Sequence, residues 1–200
     1  MYAKTIRGVV LFFALSGLLA GCAGTVTNMR ELPASQAPAA PEAGKALVVF
    51  MRPSGLGFAI QSSVFELRDE IPVLIGIVAA KTRVSQQFEP GKHLFMTIGE
   101  NADFMSAELA AGKTYYVKVE PRMGMFKARF GLEPYRQKDL AGADFKNDLA
   151  ECRPVEKTAE SDNWAAANMQ SILSKRGDYY GDWMKQEEAK RPRMLAEDGR

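Results

Sequence analysis

The sequence predicts a mainly β protein: an antiparallel β-sandwich or small barrel of about seven or eight strands with a C-terminal α-helical extension. Three observations carry this. Short runs of alternating apolar and polar residues recur between Ala46 and Glu133, each bounded by Gly, Pro, Asn or Asp. No strand–helix–strand repeat separates them, which argues against a doubly wound parallel sheet. From Ala141 onward the apolar residues recur at helical spacing instead.

The first strand is expected over Ala46–Arg52, with Leu47, Val49 and Met51 on one face, Val48, Phe50 and Arg52 on the other, and Pro53 ending it. Phe58 to Leu67 follows, then a break at Arg68-Asp69-Glu70. Ile71 to Val78 is almost wholly apolar, as in a strand covered on both faces. Val84–Phe88 leads into Glu89-Pro90-Gly91-Lys92, whose central Pro-Gly marks a type II turn. Leu94, Met96 and Ile98 alternate with His93, Phe95 and Thr97 before Gly99-Glu100-Asn101. Phe104–Leu109 reaches a turn at Ala111-Gly112-Lys113; Tyr115, Val117 and Val119, then Phe126, Ala128, Phe130 and Leu132, mark the last strands.

In the extension, Ser161 is read as an N-cap for a helix carrying Trp164, Ala165, Asn168, Met169, Ile172 and Leu173. Lys175-Arg176-Gly177 supplies a cationic last turn and a terminating glycine. A second helix is expected from Asp178 or Asp182 to Lys190, stopped by Pro192. The two helices are expected to pack on the β domain; the alternative is an arm that binds a partner.

The amino terminus reads as an address. Lys4 and Arg7 precede an apolar stretch, Gly8 to Leu19, of about a dozen residues, short of the roughly 20 that span a bilayer as a helix. Leu19-Ala20-Gly21-Cys22 resembles the bacterial lipobox, where small residues admit a dedicated peptidase and the Cys thiol accepts a diacylglycerol. The resemblance implies cleavage before Cys22, acylation of its thiol with palmitate-type chains, and stable anchoring by two or three chains. Ala23, rather than Asp, follows, and in proteins with this motif that favours the outer membrane, with the globular part facing the periplasm. The expected organisation is therefore a signal peptide over 1–21, a lipidated Cys22 with a flexible Pro/Ala-rich tether over 22–44, a β-sandwich over 45–140 and a helical extension over 141–200.

The 200 residues include 26 Lys+Arg, 24 Asp+Glu, one His and two Cys, with 46% hydrophobic and 25% charged residues. This composition rules out collagen, a disulfide-dense miniprotein, a polytopic membrane protein and a fully disordered chain. Loss of residues 1–21 removes Lys4 and Arg7 and leaves 24 basic against 24 acidic residues, so the pI of about 8.5 is no nucleic-acid signal. Cys152 becomes the one unmodified thiol, which points to burial rather than an intermolecular disulfide.

Lys45-Ala46-Leu47-Val48-Val49-Phe50-Met51-Arg52-Pro53, Phe88-Glu89-Pro90-Gly91-Lys92-His93 and Leu109-Ala110-Ala111-Gly112-Lys113-Thr114-Tyr115-Tyr116-Val117-Lys118 together resemble a family of bacterial lipoproteins classified as a domain of unknown function. The shared pattern is an opening strand ending in Arg, a Pro-Gly-Lys-His turn, and an Ala-Gly-Lys-x-Tyr-Tyr-Val turn and strand; it covers residues 45–137. The resemblance implies a prealbumin-like β-sandwich in the cell envelope and no particular reaction.

Few motifs point to chemistry. Gly112-Lys113-Thr114 lacks the earlier P-loop glycine, since position 107 is Ala, and it precedes a strand. Gly55-Leu56-Gly57 lacks the third glycine and helix of a dinucleotide fingerprint. The single His removes most His-based zinc centres, and His93 is expected to be an exposed turn residue. Met123-Gly124-Met125 raises Cu(I) binding, against which Met96, Met105, Met169 and Met184 fall at apolar positions of strands and helices. Arg52, Lys113, Lys118, Lys127 and Arg129 are candidates for a basic face toward headgroups or peptidoglycan, although strand cations commonly just face solvent.

The functional expectation is a non-enzymatic, lipid-anchored envelope lipoprotein without cofactor, metal or nucleic acid, acting through an envelope protein partner, with Cys22 as its one site residue. The alternative is a module for a small apolar ligand lined by Phe50, Phe58, Phe95, Phe104, Tyr116 and Phe126.

Overall fold

The computed structural model describes residues 26–33, 35–36, 39–123 and 128–200. The segment read as a signal peptide, Cys22, Met125, Phe126 and Lys127 lie outside them. The described chain is mainly β, with strands β1 (Met29–Glu31), β2 (Ala46–Arg52), β3 (Ser62–Arg68), β4 (Ile71–Val78), β5 (Thr82–Phe88), β6 (Gly91–Ile98), β7 (Ala102–Leu109), β8 (Thr114–Met123) and β9 (Ala128–Pro134). Helix α1 (Ala143–Glu151), β10 (Arg153–Lys157), α2 (Ala159–Lys185) and β11 (Arg193–Met194) follow.

Two sheets form, one in the order β1-β10-β5-β2-β8-β9 and the other β11-β7-β6-β3-β4. Each is mixed, which corrects the antiparallel expectation: β2 pairs with β8, β10 with β5 and β11 with β7, all in parallel. Eleven strands are described rather than seven or eight. The surplus consists of β1, β10 and β11, with three, five and two residues. Such pieces are too short and polar for alternation to show, and they exist because a neighbouring strand offers an edge. The segment read as a tether thus contains β1, and the segment read as helical contains β10 and β11.

The side-chain alternation of β2 explains the layering. Val48 and Phe50 point between the sheets, where they meet Val64, Ile75, Phe95, Met105, Val117 and Phe130. Leu47, Val49 and Met51 point to the opposite face, where α1 brings Phe145 and Leu149 over them. Every residue of β2 is consequently buried. On the outer face of the other sheet, Phe65, Leu74, Met96 and Phe104 are covered by Ala165, Ile172 and Trp183 of α2. The result is four layers, α1, sheet, sheet and α2, and each large apolar side chain so buried contributes about 1.5–3 kcal/mol.

Besides β10 and β11, the extension differs from expectation in its helices, for α1 is a separate helix that was not expected. A single 27-residue helix replaces the two expected, running through Gly177 without a break. Its N-cap is Thr158, and Ser161 lies at the third helical position, its Oγ accepting the Thr158 N–H at 3.0 Å. Tyr180 and Trp183 lie beyond the glycine and pack on Phe104, with ring centroids 5.1 and 5.7 Å away. That packing outweighs the roughly 1 kcal/mol that a helical glycine costs. Among the described residues no helix is long and apolar enough to cross a membrane.

Candidate functional site

Buried polar groups close the two ends of the space between the sheets. At the end reached by the C-terminus of β2, Arg52 is fully buried. Strand alternation aims it inward, and Pro53 turns the backbone away so that the loop 53–61 folds back over the guanidinium. Arg52 donates Nη1 to the Ile60 carbonyl and Nη2 to the carbonyls of Leu56 (2.6 Å) and Gly57 (2.8 Å). The planar fork suits several acceptors at once in a way an ammonium cannot. Phe130 lies 4.7 Å from the guanidinium, and Gly99 lets that ring approach, since a Cβ there would come within 2.3 Å of it. Burial pulls Arg52 down to about 10, with Glu120 opposing.

The loop so held exposes Leu56, Phe58 and Ile60. It also meets the start of the described chain. The Thr27 N–H donates to Gln61 Oε1 (3.2 Å) and Gln61 Nε2 donates to Thr27 Oγ1 (2.9 Å). Asn28 accepts from buried Ser161 of α2, and β1 continues by pairing with β10.

At the opposite end, buried Glu66 of β3 and the largely buried His93 of β6 form a pair, Nδ1 to Oε1 2.6 Å, with the second ring nitrogen 2.8 Å from the Glu89 carbonyl. Arg68 holds the other oxygen of Glu66. His93 is therefore not the exposed turn residue expected: its strand begins at Gly91, so its ring points between the sheets and stacks on Phe95 at 6.0 Å. The Glu66 hydrogen bond raises the imidazole above its ordinary value against the opposing effect of burial. Burial pushes the Glu66 carboxyl up, but His93 and Arg68 together hold it below the usual carboxylate range. A groove of about 860 Å³ beside this pair is lined chiefly by charged and amide side chains, with no hydroxyl or thiol among them.

Cys152 is buried at the end of α1, and burial pushes its thiol up to about 12. Arg83 ties the same corner together by donating to the carbonyls of Leu149 (2.8 Å), Cys152 and Gln36 (2.5 Å).

Cys22 lies outside the described residues. Of the six aromatics considered for one ligand cavity, Phe126 lies outside the described residues and the other five do not gather in one place. Phe50 and Phe95 pack edge to face at 5.2 Å between the sheets, Phe104 lies under α2, Tyr116 under α1, and Phe58 on the surface. The candidate basic face is dispersed too. Arg52 is internal, Lys113 donates to Ala196 O (3.0 Å), Lys118 faces Asp148 (3.4 Å) and Arg129 is exposed. Met96 and Met105 are core residues, whereas Met184 is exposed. Among the described residues no three His, Cys, Asp or Glu side chains are grouped to hold a metal. Gly112, at φ 76°, is the left-handed turn residue its surroundings suggested. The internal roles of Arg52 and Glu66 escaped sequence reasoning, though Arg52 did stand on the inward face by strand parity.

No protein-family model matches the chain, and no curated protein matches it significantly.

Proposed function

We propose that this chain is an exported, lipid-anchored envelope protein that acts through protein or envelope contacts and catalyses no reaction. The observation that carries the reading is Leu19-Ala20-Gly21-Cys22 directly after a short cationic head and an apolar core. The acceptor is Cys22, the membrane is the outer membrane, and the body faces the periplasm as an elaborated prealbumin-like sandwich. Two features support a non-catalytic role. Both nitrogens of the only His are engaged by acceptors, and the one unmodified thiol is buried with its proton held tightly.

Growth with labelled palmitate tests the anchor. Wild-type protein is expected to carry label and sediment with membranes, and Cys22→Ser to lose the label and become soluble. Label retained in Cys22→Ser would overturn the reading. Partner contact is tested by crosslinking in cells. Deleting 155–192 would strip β10 and α2 from the fold, so the informative changes are at Leu173 and Met184, which are 43% and 49% exposed on α2. A partner lost on Leu173→Lys with Met184→Lys is the expected result.

A further inference from the structure

We propose that the loop 53–61 is a second membrane contact, seated in the interfacial layer of the same bilayer that holds the acylated Cys22. Leu56, Phe58 and Ile60 are 48%, 52% and 37% exposed, three large apolar side chains within five residues of one loop. From Pro53 to Phe65 no side chain is charged. Insertion therefore buries apolar surface without desolvating an ion.

The loop is also held ready. Arg52 satisfies from inside the Leu56 and Ile60 carbonyls, which would otherwise need water or lipid partners, and the Gly57 carbonyl accepts from both Arg52 and, at 2.9 Å, the Ile60 N–H. Its shape is thus set by buried hydrogen bonds while its side chains face outward.

The position of the anchor selects a bilayer as the occupant. Thr27 and Gln61 exchange hydrogen bonds at the base of the loop. Cys22 precedes Thr27 by five residues, a reach of at most about 18 Å however the chain runs. An acylated Cys22 therefore brings the membrane to this end of the sandwich. The opposite end, at the Asp69-Glu70 turn, lies the length of β3 away, about 23 Å.

The strand pair β8 and β9 supplies the charge that anionic headgroups prefer. Arg129 and its register partner Arg122 are both exposed, Arg122 lying beside the Asp103 carboxylate and Arg129 leaving its charge for headgroups, and Phe130, next to Arg129 in β9, touches Arg52. Apolar tips flanked by cations are the pattern of an interfacial contact.

The inference rests on acylation at Cys22, and the experiment separates the two. Acylated Phe58→Cys and Ile71→Cys proteins are labelled with an environment-sensitive fluorophore; buried Cys152 stays unlabelled. N-terminal peptide mass establishes acylation. The proteins are placed in phosphatidylethanolamine–phosphatidylglycerol vesicles, with and without bromine on the acyl chains. The expected result is a blue shift and bromine quenching at position 58 and neither at 71, which is 62% exposed at the far end. With acylation established, equal and water-like emission at both positions overturns the proposal. A shift at 58 that needs no vesicles and grows with protein concentration also overturns it, in favour of self-association. If the peptide mass shows no acylation, the anchor reading fails separately. The same pair added to vesicles as soluble protein then decides: a response at 58 keeps the loop as a contact, and none removes it.

Discussion

Glu66 and His93 meet at 2.6 Å between β3 and β6 while the other His93 nitrogen lies 2.8 Å from the Glu89 carbonyl, so the imidazole faces two acceptors. Two acceptors require two N–H donors, which only the cation has. The folded state therefore raises His93 and depresses Glu66. The His93 contribution is complete below its unfolded value, about 6.5, and is lost as pH rises through the raised folded value. The Glu66 contribution is present above its unfolded value and is lost as pH falls through the depressed one. Stability is expected to be highest between these limits. Denaturant midpoints at pH 6 and pH 9 check it: wild type is less stable at pH 9, and His93→Gln removes most of that difference. At pH 6 the substitution costs about 1–3 kcal/mol, because Glu66 stays buried with Arg68 as its remaining cation. A His93→Gln protein keeping the full alkaline loss would refute the assignment.

Arg52 is the matching closure at the other end. Arg52→Met fills similar volume but leaves the Leu56 and Ile60 carbonyls of the loop 53–61 without their donor, while Gly57 keeps the Ile60 N–H, and bonds to a charged group are worth about 1.5–3 kcal/mol each. Water reaching the freed loop offsets part of this, so the expected loss is about 3 kcal/mol. Arg52→Lys should recover less than half, because one ammonium cannot span the carbonyls of Leu56, Gly57 and Ile60. Thermal denaturation gives the size of the loss. Limited proteolysis gives its place, with new cleavage expected near Phe58.

Side-chain alternation made much of this architecture legible. Leu47, Val49 and Met51 do share one face of β2, and Val48, Phe50 and Arg52 the other, and the β-rich class follows from such runs. Alternation carries no information on which strand lies beside which or in which direction, so the parallel pairing of β2 with β8 was hidden. Polar closures were hidden for a related reason. Arg before Pro53 reads as the solvated end of a strand until the loop carbonyls are seen to converge on it. Glu66 and His93 stand 27 residues apart and become partners only through the strand pairing. Gly177 is a valid local stop signal, overruled by Tyr180 and Trp183, whose packing on Phe104 needs another turn of helix.

Cys152 is expected to behave as an inert core thiol. It is 1% exposed, and burial, reinforced by Asp148, pushes it up to about 12, so the thiolate fraction at pH 8 is on the order of 10⁻⁴. Alkylation of the native protein should be at least about a hundred-fold slower than after unfolding in guanidinium. Iodoacetamide labelling followed by mass measurement checks this; equal rates in the two states would place the thiol outside the core.

Gly177 and Gly181 offer a stabilising change that also tests the continuity of α2. A Cβ added at either position meets no atom within 4 Å, and the backbone there is helical rather than left-handed. Alanine in a helix interior is favoured over glycine by about 0.8–1 kcal/mol, largely because the unfolded chain loses freedom. Gly177→Ala and Gly181→Ala are each expected to raise the Tm by about 2–4 °C in a chain of this size. The double variant should gain close to the sum, since neither methyl displaces a neighbour. If residues 159–185 were instead two helices broken at Gly177, the glycine would need a positive φ, and alanine there would destabilise by more than 1 kcal/mol on the order of the left-handed penalty. The sign of the Gly177→Ala shift thus distinguishes one helix from two, and a gain confirms that the aromatic end of α2 is carried onto Phe104 by an unbroken backbone.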